Sequence, residues 1–127
     1  MTQEQQLRAQ LATYLECWRT NDKDRWLSLF ADDAVITDPV GSPPHAGKAA
    51  LDAFWDRVHQ IPMTFHPEMQ RTVVCDNEGM MIFRMLSRSE AGPGMAMDIV
   101  DTFRFNQEGL IEELKAYWDA DCSTMID

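Results

Sequence analysis

Phe30-Ala31-Asp32-Asp33-Ala34-Val35-Ile36-Thr37-Asp38-Pro39-Val40-Gly41-Ser42-Pro43-Pro44-His45-Ala46-Gly47 runs an apolar strand into one carboxylate and then into a stiff loop. Asp32-Asp33 breaks the preceding helical pattern, and Ala34-Val35-Ile36-Thr37 reads as the strand. Proline fixes its own φ and pushes its predecessor toward extended backbone, so Pro39 sets the conformation of Asp38. Gly41, Pro43, Pro44 and Gly47 shape the lip beyond it. This places Asp38 at a cavity mouth, where a carboxylate of fixed direction can work as a base.

Upstream of that stretch, Leu7, Leu11, Tyr14, Leu15 and Trp18 recur at steps of three and four. The spacing predicts an amphipathic helix over the first ~20 residues, with Tyr14 on its buried stripe. Asn21-Asp22 ends that helix and caps a short second one, with Trp26, Leu27 and Phe30 turned inward. Downstream, Leu51, Phe54, Trp55 and Val58 keep helical spacing from Gly47 to about Gln60, and Pro62 stops the run.

From about Thr64 the period changes to that of strands: Met69 to Cys75, Met80 to Ser89, Met95 to Phe105 and Leu110 to Trp118. Turn signals separate them at Asp76-Asn77-Glu78-Gly79, Ala91-Gly92-Pro93-Gly94 and Asn106-Gln107-Glu108-Gly109. Helices followed by sequential strands predict an α+β fold with a mostly antiparallel sheet. Alternation puts Met81, Phe83 and Met85 on one face, an apolar and adaptable wall, and Ile82, Arg84 and Leu86 on the other.

At 127 residues the chain is expected to be one domain, residues 1–127, burying about two-thirds of its unfolded surface. A net charge of −10 excludes nucleic acid and anionic membranes as partners of first choice, since both require basic patches. The N-terminal residues Met1 to Gln6 lack the basic start and apolar centre of a signal peptide, and no apolar run nears ~18 residues, so a cytoplasmic location is expected. Cys17, Cys75 and Cys122 are odd in number and far apart, fitting reduced thiols. His45, His59 and His66 show no ligand spacing with them, so no metal is expected.

The order strand, Asp38-Pro39-x-Gly41-x-Pro43-Pro44-x-x-Gly47, then a helix with Phe54-Trp55 resembles the ketosteroid isomerase family, within the larger group of cone-shaped nuclear-transport-factor-2-like folds. Tyr14 on the first helix, Ala96-Met97-Asp98-Ile99-Val100-Asp101 and Ala116-Tyr117-Trp118 follow in the family's order, so the resemblance spans roughly residues 10 to 120. It implies three helices on a curved sheet enclosing a conical hollow, a homodimer paired through the convex sheet face with Phe103 and Phe105 as an apolar patch, and no cofactor. It also implies a small apolar ketone as substrate, a 3-oxo-Δ5 steroid or similar. Asp38 matches the base that moves a proton, while Tyr14 and Asp98 match two donors to the enolate oxygen. Phe54, Trp55, Met81, Phe83, Met85, Leu114 and Trp118 are expected around the substrate.

Two points cut across the resemblance. Strict alternation groups Asp101 with Met97, Ile99, Phe103 and Phe105, and Asp98 with Val100, Thr102 and Arg104, so periodicity buries Asp101 whereas the resemblance selects Asp98. Phe30 and Trp55 stand where many family members carry tyrosines that support the oxyanion tyrosine; neither offers a hydroxyl. Two further readings stay open. One is a polyketide-cyclase-like or dehydratase-like enzyme on another carbonyl substrate, with His45 as the available histidine; the other is a binding module without turnover.

Overall fold

The computed structural model describes residues 1–90 and 92–127. Helix α1 (Gln3–Thr20) opens on a capping box, in which the Thr2 side chain accepts from Gln5 N and the Gln5 side chain accepts from Thr2 N. It ends at Asn21, whose φ of 58° is the left-handed conformation favoured at helix ends. Asp22 then caps α2 (Lys23–Ser28) through Arg25 N, as expected from the sequence. The face of α1 with Leu7, Leu11, Tyr14, Leu15 and Trp18 is buried. Helix α3 (Lys48–Val58) buries Leu51, Phe54 and Trp55.

Strand β1 (Phe30–Thr37) starts earlier than expected, so Phe30 belongs to it and not to the second helix. Pairing with the last long strand overrides local helix propensity: Ile111 N donates to Leu29 O, and Phe30 pairs with Ile111. Exposed Asp32 and Asp33 occupy a register break between Phe30 and Val35 instead of ending an element. The other strands are β2 (His45–Ala46), β3 (Met63–Cys75), β4 (Glu78–Ser89), β5 (Gly94–Phe105), β6 (Ile111–Tyr117) and β7 (Ser123–Ile126). Strand β7 had no signal in the sequence and pairs with the start of β5. Of the turn before β5, Ala91 lies outside the described residues.

The sheet order is β2-β1-β6-β5-β4-β3, with β7 beside β5. β1 and β6 run parallel, so the sheet is mixed. Register shifts in β1/β6, β3/β4 and β5/β6 bend it, since each extra residue adds local twist. The helices cover its concave face. At one end α1 lies directly on β4: a Cβ on Gly79 would meet Leu11 Cδ1 at 3.1 Å. Side chains fill that end, and the sheet's inner face stays partly open toward Ser87.

Phe103 and Phe105 are 2% and 1% exposed, inside the core. The expectation that they form an outer apolar patch is therefore overturned, because their strand parity turns them toward the helices. Among the described residues no helix is long and apolar enough to cross a membrane.

Candidate active site

Asp38 is the first residue after β1, and three hydrogen bonds fix the chain around it. Val40 N donates to Ala116 O at 2.9 Å, which ties the loop to β6. Ser42 turns back on Pro39 O with its N–H (3.0 Å) and its hydroxyl (2.6 Å). Gly41 and Gly47 take positive φ values of 101° and 89°, conformations that side chains resist, so the two glycines are needed where they stand. The Asp38 carboxylate accepts from Trp118 Nε1 at 2.7 Å. Burial pushes its pKa above the ordinary aspartate value, while the Trp118 bond and nearby His45 act against the push.

This carboxylate looks into a cavity of about 180 Å³. Tyr14 and Trp18 of α1 and Phe54 and Val58 of α3 form its helical wall, with Phe65 of β3 beside them. Phe83, Met85 and Ser87 of β4, Met97, Ile99 and Asp101 of β5 and Ala116 of β6 form the floor, and Trp118 closes the side next to Asp38. Tyr14, Asp38 and Asp101 are its acid groups.

Asp101 is 2% exposed, and its Oδ1 has no hydrogen-bond partner among the described residues. Desolvation pushes its carboxyl well above the usual carboxylate range, and the charge of Asp38 adds to the effect. Burial likewise pushes the Tyr14 phenol well above its ordinary value, with Asp101 and Asp38 contributing and the indoles of Trp18 and Trp26 opposing. Asp38 therefore ionises most readily of the three, and its charge favours the protonated forms of Tyr14 and Asp101. A carboxylic acid kept neutral retains an O–H to donate.

Asp98 is not in this cavity. Its side chain is 52% exposed on the outer face of the sheet, where Arg84 Nε donates to its Oδ1 at 3.0 Å. The resemblance put Asp98 in the hollow, whereas Asp101, three residues on, lines it, and an odd step along a strand changes faces. Strict alternation, which grouped Asp101 with Met97 and Ile99, described the buried face correctly.

Phe54, Phe83, Met85 and Trp118 line the cavity, whereas Trp55, Met81 and Leu114 do not. Trp55 is screened by Trp18, whose ring lies 4.4 Å from it, and also packs on Trp26 and His59. Met81 and Leu114 are 0% and 1% exposed, consumed by the core where α1 covers the sheet. Phe30 does pack edge-on against Tyr14, with centroids 6.4 Å apart, but the indoles acting on the phenol are those of Trp18 and Trp26, not Trp55. Helix periodicity carried the signal for Trp18 and Val58; Phe65 and Ser87 were legible only after folding. Among the described residues no three His, Cys, Asp or Glu side chains converge as a metal site.

A curved mixed sheet under three helices, enclosing an apolar pocket, defines a protein of the nuclear-transport-factor-2-like class. Residues 11–114 match the SnoaL-like domain family, and the chain belongs to that family. A steroid Delta-isomerase of Nocardioides simplex is 25% identical over 114 residues, 89% of each chain. The Delta 5-3-ketosteroid isomerase of a Mycobacterium species superposes with a TM-score of 0.83 at 28% identity, covering 94% of this chain and 98% of that one. RV0760c from Mycobacterium tuberculosis, solved in complex with estradiol-17beta-hemisuccinate, gives a TM-score of 0.80 at 28% identity over 94% and 98%.

Proposed function

We propose that this protein is a cofactor-independent isomerase that moves a carbon–carbon double bond into conjugation in a 3-oxo-Δ5 steroid or a similar apolar ketone. Asp38 takes a proton from the carbon between the carbonyl and the double bond. The electron pair moves onto the carbonyl oxygen, forming a dienolate. Asp38, now the acid, returns the proton two carbons further along, and the double bond comes to rest beside the carbonyl. Tyr14 and Asp101 each donate a hydrogen bond to the oxygen while it is charged.

The observation that carries the reading is Asp101: a wholly buried acid with an unpartnered oxygen, sharing an apolar cavity with a phenol and with one carboxylate that ionises first. Burying such a group without a partner is unfavourable, so its place is explained by what it binds. Donors fixed in a dry pocket stabilise developing charge without reorganising water, and one such donor is worth about 10²–10³ in rate. The steroid isomerases among the relatives and the steroid-like ligand of RV0760c support the substrate class. His45 does not line the cavity, which weighs against histidine-dependent dehydration.

The protein would act in the cytoplasm as a homodimer. Ile82, Val100 and Tyr117 form an apolar row across β4, β5 and β6 on the sheet's outer face, in place of the Phe103 and Phe105 patch. Size-exclusion chromatography showing only a 14.6 kDa species at micromolar concentration would count against the dimer. For the activity, conversion of 5-androstene-3,17-dione to its conjugated isomer is followed by the rise in ultraviolet absorbance. Wild type is expected to turn over and Asp38→Asn to be severely impaired; equal inactivity of both removes the steroid reading.

A further inference from the structure

The cavity is polar at two places and oily between them. Tyr14, Asp38 and Asp101 make the first. Along β4 and β5 the floor is then apolar, with Phe83 opposite Ile99 and Met85 opposite Met97. Ser87, opposite Met95, comes next and is, among the described residues, the one other lining residue with a hydroxyl, carboxyl or amide side chain. Among the described residues its Oγ reaches only Met95 O, at 3.5 Å, the outer limit of a hydrogen bond. A hydroxyl so weakly held, with a donor and two acceptor positions, is available to a ligand.

Resting on the isomerase reading, we propose that Ser87 determines specificity by receiving a second oxygen, carried on the far end of an elongated substrate whose carbonyl lies between Tyr14 and Asp101. Strand register sets the length. Met81 pairs with Asp101, and Ser87 follows six residues later on the same face, about 20 Å along the strand at ~3.3 Å per residue. A hydrogen bond of about 2.8 Å at each end, and the concave bend of the sheet, bring the distance between the two ligand oxygens to roughly 10–14 Å. The ligand class is therefore a rigid apolar ring system oxygenated at both ends, not a short ketone.

Binding is measured by quenching of the fluorescence of Trp18 and Trp118, both in the cavity wall, using 4-androstene-3,17-dione and 4-androsten-3-one, which lacks the far oxygen. Ser87→Ala is expected to weaken the dione about fivefold, the worth of one neutral hydrogen bond, and to leave the mono-ketone unchanged. Ser87→Thr, which keeps the hydroxyl, is expected to keep the preference. Equal effects on both ligands, no effect on either, or no binding of either by wild type overturns the proposal. Turnover of 5-androstene-3,17-dione is read separately: discriminating binding without turnover sinks the isomerase reading and spares Ser87, while turnover indifferent to Ser87→Ala does the reverse.

Discussion

Asp98 and Asp101 lie three residues apart on β5 and face opposite sides of the sheet, the first 52% exposed and paired with Arg84, the second 2% exposed and lining the cavity with Tyr14. The relation separates two assignments of the second oxyanion donor. Asp101→Leu is expected to lower kcat by about 10²–10³, the cost of one donor in such a site. Asp98→Asn is expected to stay within about twofold in kcat and within ~0.5 kcal/mol in stability, as befits an exposed ion pair. Steady-state kinetics with 5-androstene-3,17-dione and urea unfolding of both variants check this; the reverse ranking returns the role to Asp98.

Asp38→Asn keeps the shape of the side chain and removes its basicity. The expected loss in kcat is about 10²–10⁴, the range of general-base catalysis, with KM changed much less. Because burial raises the Asp38 pKa, the neutral amide is also expected to leave the fold at least as stable as wild type near pH 7. Thermal unfolding of the variant reports this independently of turnover.

Trp118 donates to ionised Asp38, so it favours the charged form. In Trp118→Phe the carboxyl becomes a weaker acid, and the acidic limb of the kcat/KM profile moves to higher pH. The variant regains activity as pH rises, which a merely misfolded protein would not do. An unmoved limb would show that the indole does not tune the base.

Stability carries its own pH signature. The folded-state pKa of Asp101 is raised, so above about pH 4, where the unfolded carboxyl ionises, the folded protein binds more protons than the unfolded one. Stability contributed by this group is fully present below the unfolded value and falls as pH rises through the folded one. Wild type is expected to lose several degrees in Tm relative to Asp101→Asn between pH 4 and pH 8, the two converging at low pH. Parallel curves would place Asp101 in solvent.

The Tyr14 phenol touches the surroundings that distinguish this chain. The Trp26 indole, with that of Trp18, opposes the upward push on the phenol. Trp26→Phe is expected to move the Tyr14 titration, followed by ultraviolet difference absorbance, further upward, and Trp55→Tyr to leave it where it is. A shift in Trp55→Tyr alone would restore the network first inferred from the resemblance.

Local chemistry was enough to place much of this molecule. The three-and-four spacing from Leu7 to Trp18 set Tyr14 inward, Asn21-Asp22 set the joint between helices, Pro39 and the loop glycines set Asp38, and alternation set Asp101 beside Met97 and Ile99. These features depend on bond rotations and on the periods of helix and strand, which neighbours in sequence dictate. Where the resemblance competed with that parity over Asp98, parity described the face correctly.

Contacts between distant segments decided the rest. Pairing with Ile111 drew Phe30 into a strand, parallel β1 and β6 made the sheet mixed, and β7 found its partner only once β5 offered an edge. The same packing chose among apolar residues that look alike in sequence, using Trp55, Met81 and Leu114 to fill the core and leaving Phe83, Met85 and Trp118 at the hollow. Apolar side chains carry no label for where close packing stops; that boundary is a property of how helices meet a bent sheet.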